Sequence, residues 1–215
     1  MLTPFTHART GRALALAVAL LASTSCASEM TRSGKSPAFL VIDQLAASSG
    51  AKAGAFATML NSDVVTMVDT TINGVSTKVA TVYNDIGQVT LHTVLKDPGT
   101  AAVPTSPTAI NDITVTRYHV RFRRSDGRER EGVDVPYAFD GGVTGTVTTG
   151  GTTLSFELVR HSMKSEPPLS PLAGGGGAGE ISTIAEVTFY GHDQAGNDVS
   201  VMGTIGVNFG DFADQ

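Results

Sequence analysis

Tryptophan is absent, cysteine occurs once, and charged residues make up only 16% of the 215-residue chain. A single cysteine excludes an intrachain disulfide and a cysteine-built zinc site. Without Trp, the side chain best suited to stacking on sugars is missing. A formal net charge of −5 and a pI near 5.4 argue against general nucleic-acid binding, so no nucleic-acid partner is expected. The main continuous apolar run, residues 13–21, is shorter than the roughly 20 residues a helix needs to cross a bilayer.

Catalytic signatures are scarce as well. Neither HExxH nor GxSxG occurs. Ser49-Gly50-Ala51-Lys52 fits SxxK, but no KTG partner follows and the helical context is missing. Gly174, Gly176 and Gly179 fit GxGxxG only because their tract is nearly all glycine. That tract precedes a strand instead of following one, which is the wrong order for a phosphate cradle. His92, His119, His161 and His192 are scattered over separate segments. The chain is expected to be no enzyme and to need no cofactor.

What the chain does have begins with an address. Residues 1–12 carry His7, Arg9 and Arg12 and no acid; the apolar run ALALAVALL follows, then the small residues ASTSCAS. Basic, apolar, small is the order of a secretory signal. The lone Cys26 closes it. Ser23-Thr24-Ser25-Cys26 resembles a bacterial lipobox, in which the cysteine is lipidated and becomes the first mature residue. The resemblance implies a signal peptide over 1–25, lipidation at Cys26 and a membrane partner reached through the lipid. Ala27 after the cysteine resembles the outer-membrane class of lipoproteins. Ordinary cleavage, for instance after Ala27, would instead give a secreted or periplasmic protein. Residues 26–36 are small and polar and read as a tether.

From residue 37 onward the signals are β. The segments 38–46, 62–70, 87–95, 113–124, 133–139, 142–161, 181–189 and 199–209 read as strands or hairpins. The first is apolar on both faces and reads as a strand buried on both sides or at the start of the core. Asn73-Gly74 between β-branched arms is a hairpin turn signal. Along 113–124 the apolar parity changes between Val115 and Tyr118, which predicts a bulge near Thr116 or Arg117. Pro136 places 133–139 at an edge or irregularity. Gly150-Gly151 is expected to turn a hairpin, and 162–180, with its prolines and glycines, reads as a long flexible loop. The expectation is all-β: one antiparallel sandwich of about nine or ten strands over 37–215.

Asp193-Gln194-Ala195-Gly196-Asn197 is similar to the D-x-A-G-N hairpin of immunoglobulin-like domains in bacterial surface proteins. VTRYHVRFRRSDGRE and the terminal VNFGDF also look like bacterial envelope lipoproteins of unknown function. The resemblance implies an immunoglobulin-like sandwich in the cell envelope, with a structural or partner-binding role. An envelope protein or a glycan is the partner it suggests. It does not imply an activity.

Two sites stand out. Arg117, His119, Arg121 and Arg123 alternate along one strand, so their side chains share a face. Such a row suits an anionic glycan or lipid headgroup, or else pairs with facing acids as ordinary sheet stabilisation. Asp193, Asn197 and Asp198 offer hard oxygens for calcium, though fewer than the six to eight it takes. The alternative there is a loop shaped by its own side-chain hydrogen bonds.

Overall fold

The computed structural model describes residues 34–174 and 179–212. The expected signal peptide over 1–25, the expected lipidation site Cys26 and most of the expected tether over 26–36 lie outside the described residues. Among the described residues ten strands run in chain order: β1 (Ala38–Ser48), β2 (Met59–Asp63), β3 (Thr66–Ile72), β4 (Val75–Thr81), β5 (Asp85–Leu95), β6 (Ile113–Arg124), β7 (Phe139–Val147), β8 (Thr152–Val159), β9 (Ile181–Asp193) and β10 (Asp198–Gly210). One short helix, α1 (His161–Lys164), follows β8. The protein is all-β.

The strands form a sheet in the order β1-β5-β8, a sheet in the order β2-β10-β9-β6-β7, and a separate two-stranded sheet β3-β4. The two larger sheets meet through aromatic rings. Phe156 on β8 stands 5.0 Å from Tyr118 on β6 and 5.2 Å from Phe189 on β9, ring centre to ring centre. Around them lie Val89, Leu91, Val115, Val120, Leu154, Val187 and Val207, all buried. Gly87 and Gly141 are packing requirements of this core. A β-carbon at Gly87 would lie 2.4 Å from the Phe156 ring, and one at Gly141 would lie 2.2 Å from that of Tyr118.

Not every pair is antiparallel. β2 runs parallel to β10, with Met59 opposite Gly206 and Asp63 opposite Gly210. The chain leaves the smaller sheet after β1, turns through Gly50–Lys52 and joins the edge of the larger one. The sheet is therefore mixed, a correction to the expected purely antiparallel arrangement.

Local details differ elsewhere for physical reasons. β1 is not buried on both faces: Phe39 is exposed, and a bulge between Ile42 and Gln44 shifts the apolar parity. The 62–70 segment is two strands, broken at Val64, which is buried and donates its N–H to the Gly210 carbonyl at 2.9 Å. Residues 133–138 form no strand and β7 begins only at Phe139, consistent with Pro136 lacking the ladder N–H. β7 and β8, expected as a hairpin about Gly150-Gly151, belong to different sheets. The turn carries the chain over the edge, and Leu154 packs against Gly145 across the gap. Of the 162–180 stretch, residues 162–174 are anchored by α1, by a 3-10 turn at Ser170–Leu172, and by buried Leu169 and Leu172.

The bulge in β6 falls between Val115 and Arg117, where the parity change places it. The Asn73-Gly74 turn has positive φ at both residues, 52° and 79°, the geometry that Asn-Gly tolerates.

Candidate functional site

The bulge turns Arg117, His119, Arg121 and Arg123 outward while Tyr118, Val120 and Phe122 fill the core. Each cationic or titratable group of the row then meets an acid. Arg117 lies 3.5 Å from Asp140 on neighbouring β7, and His119 lies 3.2 Å from the same carboxylate. Arg121 reaches Glu129 at 2.7 Å. Arg123 bridges Glu129 at 3.1 Å and Glu186 on β9 at 2.6 Å. Glu186 and then Glu129 raise the Arg123 pKa further above its ordinary value. Past the strand, Asp126 is held well below the usual carboxylate range by hydrogen bonds from Arg128 and Arg124. This face is an ion-pair lattice, with no stripe of uncompensated positive charge.

Arg117 is the least tightly paired member. Its guanidinium stacks 3.8 Å over the Tyr190 ring. Together with His192, Asp198 and Ser200 it lines an open concavity of about 470 Å³ on the outer face of the larger sheet. Asp140 and Asp198 bring negative charge close to it.

The Asp193 carboxylate turns back into its own hairpin. One oxygen accepts N–H bonds from Ala195 at 3.0 Å and Asn197 at 2.8 Å; the other accepts from the Asn197 side chain at 2.8 Å. Burial alone would raise its pKa. Hydrogen bonds from Asn197, Ser36 and Ala195 outweigh that and lower it. Asp193 and Asn197 meet each other, and Asp198 is exposed at the start of β10. No cluster of three or more His, Cys, Asp or Glu suited to a metal occurs among the described residues. The histidines stay apart. His92 pairs with Asp43 at 2.8 Å, His119 with Asp140, and His161 with Asn84 at 2.8 Å.

Sequence reasoning missed a buried ion pair. The Lys164 ammonium, on α1, lies 2.9 Å from the Asp85 carboxylate, and both side chains are at most 1% exposed. Asp85 also accepts from the Ser62 hydroxyl at 2.6 Å and the Gly50 N–H at 2.9 Å. Lys164 donates besides to the Asp63 carbonyl at 2.9 Å. Asp63 ends β2 just before β3, and Asp85 starts β5 just after β4. One ammonium thus clamps both roots of the β3-β4 hairpin. Asp63, Asp85 and Lys164 are distant from one another in sequence, and no local pattern marks them.

That hairpin projects from the body. Its strands contact mainly each other, and Met67, Ile72, Val75 and Val79 are exposed. No family model, curated protein or solved structure matches the chain.

Proposed function

We propose that this chain is a cell-envelope lipoprotein, anchored through Cys26, whose immunoglobulin-like sandwich serves a structural or partner-binding role without catalysis. The immunoglobulin-like reading is supported by the strand order: β1-β5-β8 faces β2-β10-β9-β6-β7, with the chain changing sheets between β1 and β2. The observation that carries the partner-binding reading is the projecting β3-β4 arm on a rigidly clamped base. An arm with little packing of its own is marginal in water unless something covers it.

The arm's root also lies at the opposite end of β1 from Ala38, where the proposed tether enters. β1 starts at Ala38, opposite Leu95, and ends at Ser48, opposite Ile86, next to the arm's root at Asp85. Its 11 residues put about 35 Å between the tether side and the arm's base. Anion binding by the Arg row is the weaker reading, because Asp140, Glu129 and Glu186 already face those cations.

The test is fractionation of cells producing the chain with Cys26→Ala. The protein is expected to leave the membrane fraction. Retention in the membrane after that change overturns the lipid anchor.

A further inference from the structure

The arm pairs seven residues with seven, from Thr66 opposite Thr81 to Ile72 opposite Val75, with no bulge. One face carries Thr66, Val68, Thr70 and Ile72 beside Thr81, Val79, Thr77 and Val75, so every side chain on it is β-branched and none is charged. The other face carries Met67 beside Ala80, Asp69 beside Lys78 and Thr71 beside Ser76. Among the described residues, neither outer edge of the arm pairs with another strand.

Exposed strand edges are ordinarily blunted by proline, lysine, bulges or short length. The body follows that rule: β1 is bulged, and β2 has five residues. The arm does not. β3 has no proline, lysine or bulge, and β4 has one lysine. Moreover, Asp69 and Lys78 face each other in register yet form no ion pair among the described residues. The Arg row of β6, by contrast, is compensated throughout.

We propose that the arm's partner is the arm of a second copy of this chain, added edge to edge. β4 of one copy lies antiparallel beside β3 of the next, in the register the hairpin itself uses. This inference rests on the partner-binding reading above and names the partner. Charge selects the arrangement. With β4 beside β3, each Lys78 meets an Asp69 of the neighbouring copy. Pairing β4 with β4 about its midpoint would oppose two lysines, and pairing β3 with β3 about its midpoint would oppose two aspartates; like charges directly opposite are destabilising. The arrangement extends the β-branched face from copy to copy. It relates successive copies by a translation, so the starts of their β1 strands at Ala38 face the same side. Such a head-to-tail contact does not close on itself and grows as a row.

The experiment is sedimentation velocity on the full chain carrying Cys26→Ala, in mild detergent, so that no acyl chain drives association. The average mass is expected to rise with concentration from the micromolar to the millimolar range. Asp69→Lys and Lys78→Glu are each expected to weaken association at least tenfold. An equimolar mixture of the two variants is expected to associate again. The unchanged Lys78 of the first variant meets the unchanged Asp69 of the second, and the two introduced side chains, opposite in sign, meet each other. Recovery on mixing cannot come from refolding of either arm, since each still carries like charges across its own hairpin. A parent chain that stays monomeric, or single variants that associate as the parent does, overturns the proposal. So does a mixture no better than its components. If self-association fails while Cys26→Ala still releases the protein from membranes, only the identity of the partner is lost.

Discussion

The terminal hairpin β9-β10 and the arm β3-β4 obey the same local rules and end in opposite environments. Both are antiparallel, both alternate, and both turn on small polar residues. In β9-β10 the inward series Thr183, Ala185, Val187, Phe189, Ile205, Val207 and Phe209 is buried, and the carboxylate of Asp193 locks the turn. In the arm, an equally regular β-branched series meets solvent. The difference is topological. β9 lies inside a five-stranded sheet with another sheet over its face, whereas β3 and β4 have only each other. Alternation says that a strand has two unlike faces. It does not say that a second layer exists to cover one of them.

The largest effect should come where the two regimes meet. Lys164→Met leaves the Asp85 carboxylate buried without its ammonium and is expected to cost about 3–5 kcal/mol, as for other broken buried pairs. Urea unfolding measures it. A cost under about 1 kcal/mol would mean that the clamp at the arm's roots does not contribute to the body's stability.

Next is the turn of β9-β10. Asp193→Ala removes charge-assisted hydrogen bonds to Ala195 and Asn197 and is expected to cost about 1.5–3 kcal/mol at neutral pH. The pH dependence has a definite sign. Asp193 has a lowered pKa when folded, so its contribution is present above the unfolded value near 4 and is lost as pH falls through the folded value. The gap between parent and Asp193→Ala should therefore narrow on acidification below about pH 4. A gap that widens there contradicts the assignment.

The smallest effect belongs to the arm. Ile72→Ala, on a half-exposed side chain, should change global stability by no more than about 0.5 kcal/mol in dilute solution. A cost several times larger, measured in the same unfolding experiment, would show that the arm packs on the body and would erase the contrast between the two hairpins.

How much of this could be read in advance divides along similar lines. The β6 bulge, the Asn73-Gly74 turn and the inward face of β9 were legible, because each is written in residues close together in sequence. Sheet membership was not. Nothing in 142–161 distinguishes a hairpin from a crossover, and only packing against Tyr118 and Phe189 places Phe156 in the other layer. Lys164 and Asp85 are 79 residues apart, and each alone looks like an ordinary surface charge. The Arg row was visible as a pattern. Of its acids, Glu129 follows close behind the strand, but Asp140 and Glu186 were not visible, since they come from flanking strands whose register had to be known first.

The position of the arm carries a kinetic meaning. If Cys26 carries the proposed lipid, the protein diffuses in two dimensions. Contacts at the arm, about 35 Å along β1 from Ala38, would then be searched for among neighbours on the same surface. Confinement of this kind raises effective concentration without adding any contact. On the proposed anchor, the same edge contacts that are expected to associate at micromolar to millimolar concentration in solution would form at lower copy number, and the surface density of the anchored chain would set the degree of assembly.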